Sequence, residues 1–180
     1  MKLLLVFFLL VAFPLSSLAG DYQGNCSVTF QGSSTLHDFN GAGSCQPFVV
    51  GEIDGVLKIP AISVPVAGLD TDNARRDKKM RAMFDGENFP LITGIGGPVD
   101  LASLANGAGS LALTLQIRGI DRAVTATVDN VVKTDGTITA DLAFPVSLAN
   151  YRLEPPSVLG IISVDDQVNV ALNIALTAIE

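Results

Sequence analysis

The sequence contains few of the side chains from which catalytic and metal centres are usually built. It has one histidine, His37, and two cysteines in 180 residues. A hydrolytic relay would have to combine His37 with Ser33 or Ser34 and with Asp38, but neighbouring residues on a strand point to opposite faces. The chain has no Gly-x-Ser-x-Gly motif and no loop with the carboxylate spacing of a calcium site. We therefore predict a non-catalytic protein without a metal, in which His37 is a structural polar group or a contact to a ligand head group.

Basic residues are also scarce. The chain has 11 Lys and Arg against 18 Asp and Glu, which gives a net charge of −7. A surface that binds nucleic acid needs a broad basic footprint to neutralise the phosphates. The composition therefore predicts that nucleic acid is not a partner.

Long apolar runs are confined to the amino terminus. Leu3–Phe13 is unbroken and follows Lys2, but it is short for a membrane span. The small residues that end at Ala19 match the cleavage motif that a signal peptidase recognises. We predict a signal peptide at 1–19 and a single domain at 20–180 without an integral membrane segment. The location would be the periplasm, or outside the cell if there is no outer membrane; a retained amino-terminal anchor is the alternative.

The two cysteines are Cys26 and Cys45. In an exported protein, a lone pair of cysteines predicts a disulfide. A loop of this size would stabilise the fold by roughly 3 kcal/mol in the chain-entropy model. A redox-active pair is the alternative, but the Cys-x-x-Cys spacing that lowers a thiol pKa is missing.

Alternation of apolar and polar residues is abundant. It is clearest in Leu111–Ile117 and recurs in 138–148 and 168–176. Gly, Pro, Asn or Asp bounds each run, and Asp135–Gly136 predicts a type I′ hairpin turn. The pattern predicts an all-β fold, a single antiparallel β-barrel of the extended lipocalin-like kind with about eight strands.

One segment, Asp70–Pro90, breaks the alternation. Its apolar residues recur at helical spacing, which predicts one short helix near residues 72–84. Thr71 or Asp72 could cap its start. At its end, Gly86 could take the left-handed conformation that commonly closes a helix.

This helix has two distinct faces. The apolar stripe is Met80, Met83 and Phe84, which would either pack in the core or line an adaptable cavity. The basic cluster is Arg75, Arg76, Lys78, Lys79 and Arg81. It would be either a solvated face or a contact to an anion, such as a phosphate head group, a membrane surface or an acidic partner. In the first interpretation its charges are partly balanced by Asp72, Asp77, Asp85 and Glu87.

Three segments, in order, resemble the YceI-like family. Ser34–Gly41 (STLHDFNG) is similar to an early Thr-Leu-His-Asp-Phe-x-Gly signature, and Asp70–Ile92 resembles the block in which Asn, Arg and Asp precede an Asp-x-x-x-Phe-Pro exit. Leu113–Val124 (LTLQIRGIDRAV) resembles the Leu-Thr-Ile-Arg-Gly strand and turn. The resemblance spans about residues 21–179. It implies an exported bacterial protein whose tubular apolar cavity holds an isoprenoid or another long-chain amphiphilic lipid, with no catalysis.

The predicted ligand is therefore a long-chain lipid, isoprenoid or quinone, held non-covalently, and a homodimer is left open. The predicted cavity-lining or rim residues are Phe30, Leu36, His37, Phe39, Leu57, Met80, Met83, Phe84, Leu113, Leu115, Ile117, Phe144 and Tyr151. The alternative is an exported structural or interaction protein, with a barrel filled by side chains and the basic helix as its docking face.

Overall fold

The computed structural model describes residues 19–35, 37–155 and 164–179. The predicted signal peptide, apart from Ala19, and the predicted site residue Leu36 lie outside these ranges. Within them the chain forms eleven strands and one α-helix. The strands are β1 (Ala19–Ser34), β2 (Phe39–Ser44), β3 (Phe48–Ile53), β4 (Val56–Lys58), β5 (Ile62–Pro65), β6 (Leu91–Gly96), β7 (Val99–Asp100), β8 (Gly109–Ile117), β9 (Ile120–Thr134), β10 (Thr137–Ser147) and β11 (Val164–Ile179). The helix α1 (Ala74–Met83) lies between β5 and β6.

All eleven strands belong to one antiparallel sheet. Its order is β5-β6-β8-β9-β10-β11-β1-β3-β4-β7, and β2 also pairs with β1. The central strands are long, and residues of alternate faces differ in burial, as the alternation in the sequence requires. The predicted all-β antiparallel fold is confirmed.

The eleven strands of the curled sheet correspond to eight long segments of chain, because three of these segments are interrupted and each of the three counts as two strands. Both β2 and β3 lie on the same edge of β1, β3 opposite Ala19–Gly24 and β2 opposite Ser27–Gly32. Short breaks likewise separate β4 from β5 and β6 from β7. Counting each interrupted pair as one segment gives the predicted number of about eight.

Backbone hydrogen bonds join the two free edges of the curl. Ala42, on β2, and Asp70 exchange two of them, with N···O distances of 2.8 and 2.9 Å. The Gln46 amide donates to the carbonyl of Ser63, on β5, at 2.8 Å. Since β2 and β5 are far apart in the sheet order, these bonds bend the sheet into a barrel and satisfy edge groups that would otherwise be unpaired.

Side chains fill one end of the barrel. The cluster there contains the predicted disulfide, which is confirmed: Cys26 and Cys45 are bonded, with their Cα atoms 5.4 Å apart. The rest of this filled cluster is Tyr22, Val28, Phe48, Val50, Leu57, Ile138 and Leu176. A second cluster, which includes residues of α1, β8, β9 and β10, lies toward the other end.

A polar contact borders the filled end. The Tyr22 hydroxyl donates to Glu52 Oε2 at 2.8 Å, and Lys133 Nζ lies 3.2 Å from Glu52 Oε1. The hydrogen bond raises the pKa of Tyr22 and lowers that of Glu52. The charged group that faces the interior at this end is thereby satisfied.

The β9–β10 hairpin has a two-residue turn at the predicted position, between Thr134 and Thr137. The predicted type I′ geometry is wrong, because only Gly136 has positive φ, at 76°, and type I′ requires it at both central residues. That requirement is met at Arg118–Gly119, which connects β8 and β9, with φ values of 50° and 69°.

In the described part of the chain, no helix has the length and apolar character needed to cross a membrane.

Candidate functional site

The other end of the barrel is hollow. It encloses a cavity of about 410 Å³, a volume typical of small-molecule sites, and its walls are almost entirely apolar. The inner faces of β1, β5, β6, β8, β10 and β11 and one face of α1 line it. The alternative, a barrel filled by side chains, therefore applies to one end only.

Ten of the thirteen predicted site residues line this cavity. They are Phe30, His37, Phe39, Met80, Met83, Phe84, Leu113, Leu115, Ile117 and Phe144. They come from β1, β2, α1, β8, β10 and the connection between β1 and β2. The tertiary structure thus brings together residues that are more than a hundred positions apart in the sequence.

Two predicted residues lie elsewhere. Leu57, on β4, pairs with Glu52 and Val99 and packs in the filled cluster, because β4 continues the sheet beyond the hollow end. Tyr151 lies in a short 3-10 helix after β10, and only 2% of its surface is exposed. Its hydroxyl has no hydrogen-bond partner among the described residues, and burial raises the pKa of Tyr151. Neither side chain contributes to the cavity wall.

Three strands of the wall were missed by the site prediction. β5 contributes Ile62 and Val64, β6 contributes Ile92, Gly94 and Gly96, and β11 contributes Val168–Ile174 through its alternate residues. The alternation of β11 is visible in the sequence and could have indicated its inward face. For β6, two glycines hide the signal, because they carry no side chain whose polarity could mark a face.

The ends of α1 differ from the prediction. Asn73, rather than Thr71 or Asp72, caps the start: its side-chain oxygen accepts from the amides of Arg75 and Arg76, both at 3.1 Å. Thr71 cannot cap the helix because its hydroxyl is engaged by other residues of the same segment. At the other end, the left-handed residue is Asp85, with φ 52°, and not Gly86.

A buried carboxylate anchors the first turn of α1. Asp77 accepts from the Thr71 amide at 3.0 Å and from the Thr71 hydroxyl at 2.5 Å. These hydrogen bonds, with the nearby charges of Arg81 and Arg76, lower the pKa of Asp77. The anchor aims the apolar stripe of Met80, Met83 and Phe84 into the cavity.

The polar residues of the cavity wall are gathered around α1 and the β1–β2 connection, which together form its mouth. These mouth residues are Ser34, His37, Thr71, Arg75, Arg76 and Lys79. Arg76 is held in place: its Nε donates to Thr71 Oγ1 at 2.8 Å and one Nη donates to the Thr71 carbonyl at 2.6 Å. Its guanidinium carbon also lies 5.3 Å from the centre of the Phe39 ring.

A glycine positions that ring. Gly32 lies directly opposite Phe39 across the β1–β2 pair. A Cβ at Gly32 would lie 2.5 Å from the ring, so the phenyl group occupies the space that a side chain would need. The ring therefore packs directly on the backbone of β1, in a position where it contacts the guanidinium of Arg76.

The basic cluster is balanced only in part and without ion pairs. Among the described residues, none of Asp72, Asp77, Asp85 and Glu87 lies within ion-pair distance of a Lys or Arg in the cluster. Asp77 is turned toward Thr71, yet it is close enough to Arg81 and Arg76 for their charges to help lower its pKa. The partial balance predicted from the sequence is therefore provided by Asp77 without direct contact, while Asp85 accepts from Asn88.

Ser34 and His37 do not form a relay. The Ser34 hydroxyl donates to the His37 carbonyl oxygen at 2.8 Å, and the His37 amide approaches that hydroxyl at 3.4 Å. The serine therefore stabilises the backbone of the β1–β2 connection. Within the described ranges, no three His, Cys, Asp or Glu side chains are grouped as a metal site would require.

The model of the YceI-like domain matches residues 20–176 of the chain. The chain belongs to the YceI-like domain family. Two solved structures share the fold at 17% identity. A polyisoprenoid binding domain from Saccharophagus degradans has a TM-score of 0.67, with 89% of this chain and 99% of that chain covered. Burkholderia cenocepacia BcnA has a TM-score of 0.65, with 83% and 95% covered.

The Campylobacter jejuni YceI protein is a more distant match to this YceI-like domain. It has 18% identity and a TM-score of 0.51, and the match covers 72% of this chain and 74% of that chain. The comparison with curated proteins found no match.

Proposed function

We propose that this YceI-like domain binds a long-chain lipid of the isoprenoid or quinone type in its cavity, as a carrier or store and without catalysing a reaction on it. The observation that carries the proposal is the apolar cavity of about 410 Å³ at the hollow end of the barrel. The solved Saccharophagus degradans relative is described as a polyisoprenoid binding domain, which supports the same class of ligand here.

The physical basis is burial of the lipid chain. Each methylene group moved from water into an apolar wall contributes about 0.8 kcal/mol. Ten such groups would contribute roughly 8 kcal/mol before the cost of association, which is enough for useful affinity. In this proposal the ten wall residues that the sequence predicted contact the ligand. The methionines of the apolar stripe let the wall adapt to different chains, because their side chains are flexible.

Export to the periplasm is part of the proposal. The family match begins at residue 20, immediately after the predicted cleavage site at Ala19. The Cys26–Cys45 disulfide is consistent with an oxidising compartment. A carrier outside the cytoplasm would hold a lipid that water cannot dissolve.

The proposal is tested by identifying what the protein carries. The protein is purified from its native host, extracted with organic solvent and analysed by mass spectrometry, and the delipidated protein is then titrated with fluorescent long-chain lipids. We expect a reproducible isoprenoid, quinone or other long-chain lipid and saturable rebinding. A protein that is repeatedly empty and takes up no long-chain lipid would refute the proposal.

A further inference from the structure

We propose that the ligand carries an anionic head group, phosphate or carboxylate in its chemistry, and that Arg75 and Lys79 bind it at the cavity mouth beside Arg76. This inference rests on the proposed function, since it concerns the polar end of the lipid held in the cavity. Charged and apolar residues are segregated in the cavity wall: the three charged side chains of the wall are all cationic and all belong to α1.

Two of these cations have no partner in the described part of the chain. Arg75 and Lys79 are exposed, and neither has a carboxylate within ion-pair distance or a side-chain hydrogen bond. They are four residues apart on α1, so they lie on one helix face, where like charges repel each other. A bound anion would relieve that repulsion and would accept charge-assisted hydrogen bonds from both side chains.

Arg76 has a different role at the mouth. Its bonds to Thr71 and its contact with the Phe39 ring fix the guanidinium before any ligand arrives. They use Nε and one Nη and leave donors on the other Nη. A cation held in place in this way adds positive charge to the mouth with little further loss of side-chain freedom.

Among the described residues, the acid closest in sequence makes no ion pair with Arg75 or Lys79. Asp77 lies between Arg75 and Lys79 in the chain, but its carboxylate is buried and accepts from the amide and hydroxyl of Thr71. The segment thus binds its own carboxylate on the inner side and leaves its cations at the mouth. This arrangement occurs in a protein whose net charge is −7, so the positive mouth is not a consequence of overall composition.

Cavity and mouth together favour an amphiphile over a free anion. Inorganic phosphate could contact the cations but would leave the apolar wall unused. A neutral lipid could fill the cavity but would leave the cations unpaired. A chain ending in a phosphate or carboxylate would use both parts of the site.

The test compares ligands that differ only in the head group. Delipidated protein is titrated with farnesyl phosphate and farnesol, and with the geranylgeranyl pair, at low salt. We expect the phosphates to bind at least about tenfold more tightly than the alcohols, as charge-assisted hydrogen bonds allow. The double variant R75Q/K79Q should lose most of that preference and keep its affinity for the alcohols. The matched control K58Q/K78Q removes two exposed lysines outside the wall and should keep the preference.

The outcomes separate the two proposals. Equal binding of phosphate and alcohol by the wild type, or an unchanged preference in R75Q/K79Q, overturns the head-group proposal and leaves lipid binding intact. Failure of every lipid to bind overturns the proposed function, and the head-group proposal falls with it. Inorganic phosphate is added as a competitor, and if it binds as tightly as the prenyl phosphates, the mouth is a free-anion site and the proposal is wrong. Urea unfolding should give equal midpoints for both variants, because Arg75 and Lys79 make no side-chain contact that the fold depends on.

Discussion

Filling the cavity from within its wall should greatly weaken lipid binding without weakening the fold. Gly94, on β6, lies in the cavity wall between Ile62 of β5 and Leu115 of β8. A Cβ at this position would have the Ile62 carbonyl oxygen as its nearest neighbour, at 4.0 Å, and the backbone does not have positive φ. The substitution Gly94→Leu should therefore be accommodated without strain, with its side chain in the space that the lipid would occupy.

The magnitude follows from the atoms displaced. A leucine side chain has about four carbons and would exclude a similar number of ligand methylene groups, which contribute about 0.8 kcal/mol each. The loss is about 3 kcal/mol, so affinity should fall by roughly two orders of magnitude. Stability should stay level or rise slightly, because glycine in a strand destabilises by roughly 0.5–1 kcal/mol and the new side chain packs against apolar wall.

The assay measures both quantities on the same three proteins. Delipidated wild type, Gly94→Leu and Gly97→Leu are titrated with a fluorescent long-chain lipid and are unfolded in urea. Gly97 is the matched control: it lies just after β6, is exposed, has open space around its Cβ and is not part of the wall. Wild-type affinity in Gly94→Leu would refute the placement of the ligand in the cavity. A large loss of stability in that variant would refute the inference that the position faces empty space.

Four further variants test the division of the interior, the disulfide and the anchoring of α1. Leu57→Ala should lower the free energy of unfolding by roughly 2–5 kcal/mol with unchanged lipid affinity, because it opens a hole in the filled cluster. Leu113→Ala should cost less stability and weaken binding, because its side chain already borders the cavity, and the opposite pattern in urea unfolding and titration would contradict the two-part interior. Replacing Cys26 and Cys45 by alanine should lower stability by roughly 3 kcal/mol through the freed loop and leave binding unchanged, as measured by the same two assays. Asp77→Asn should destabilise the protein at neutral pH and make its stability depend less on pH in the acidic range. The lowered pKa of Asp77 contributes stability above the ordinary value of 3.8, and this stability is lost as the pH falls through the pKa of the folded protein. Parallel curves of urea midpoint against pH for the two proteins would show that the carboxylate does not anchor the helix.

The sequence supported most of the fold because its signals are local. Alternation identified the long strands, and the spacing of Met80, Met83 and Phe84 identified the helix and its inward stripe. The ends of that helix could not be read in the same way. Thr71 is a good capping residue by type, but its hydroxyl is used by Asp77 and Arg76, and Asn73 takes its place. Competition among side chains of a folded segment decided the cap.

The candidate site shows the same limit at longer range. Leu57 and Leu113 have the same character in the sequence, since both are apolar residues within alternating runs. One is buried in the filled cluster and the other lines the cavity. The difference depends on where β4 ends and which strands lie across the barrel, and neither is encoded in the neighbours of either leucine.

The sequence by itself determined that the chain is an antiparallel β protein with one inserted helix, because the alternation of side chains on a strand and the spacing of side chains on a helix are set within a few residues. Only the tertiary structure decided that one end of the barrel is filled and the other is hollow, and that Arg75, Arg76 and Lys79 lie at the mouth of the hollow end. A cavity is a mismatch between the space enclosed by distant strands and the volume of the side chains they point inward. That mismatch exists only once the sheet has closed.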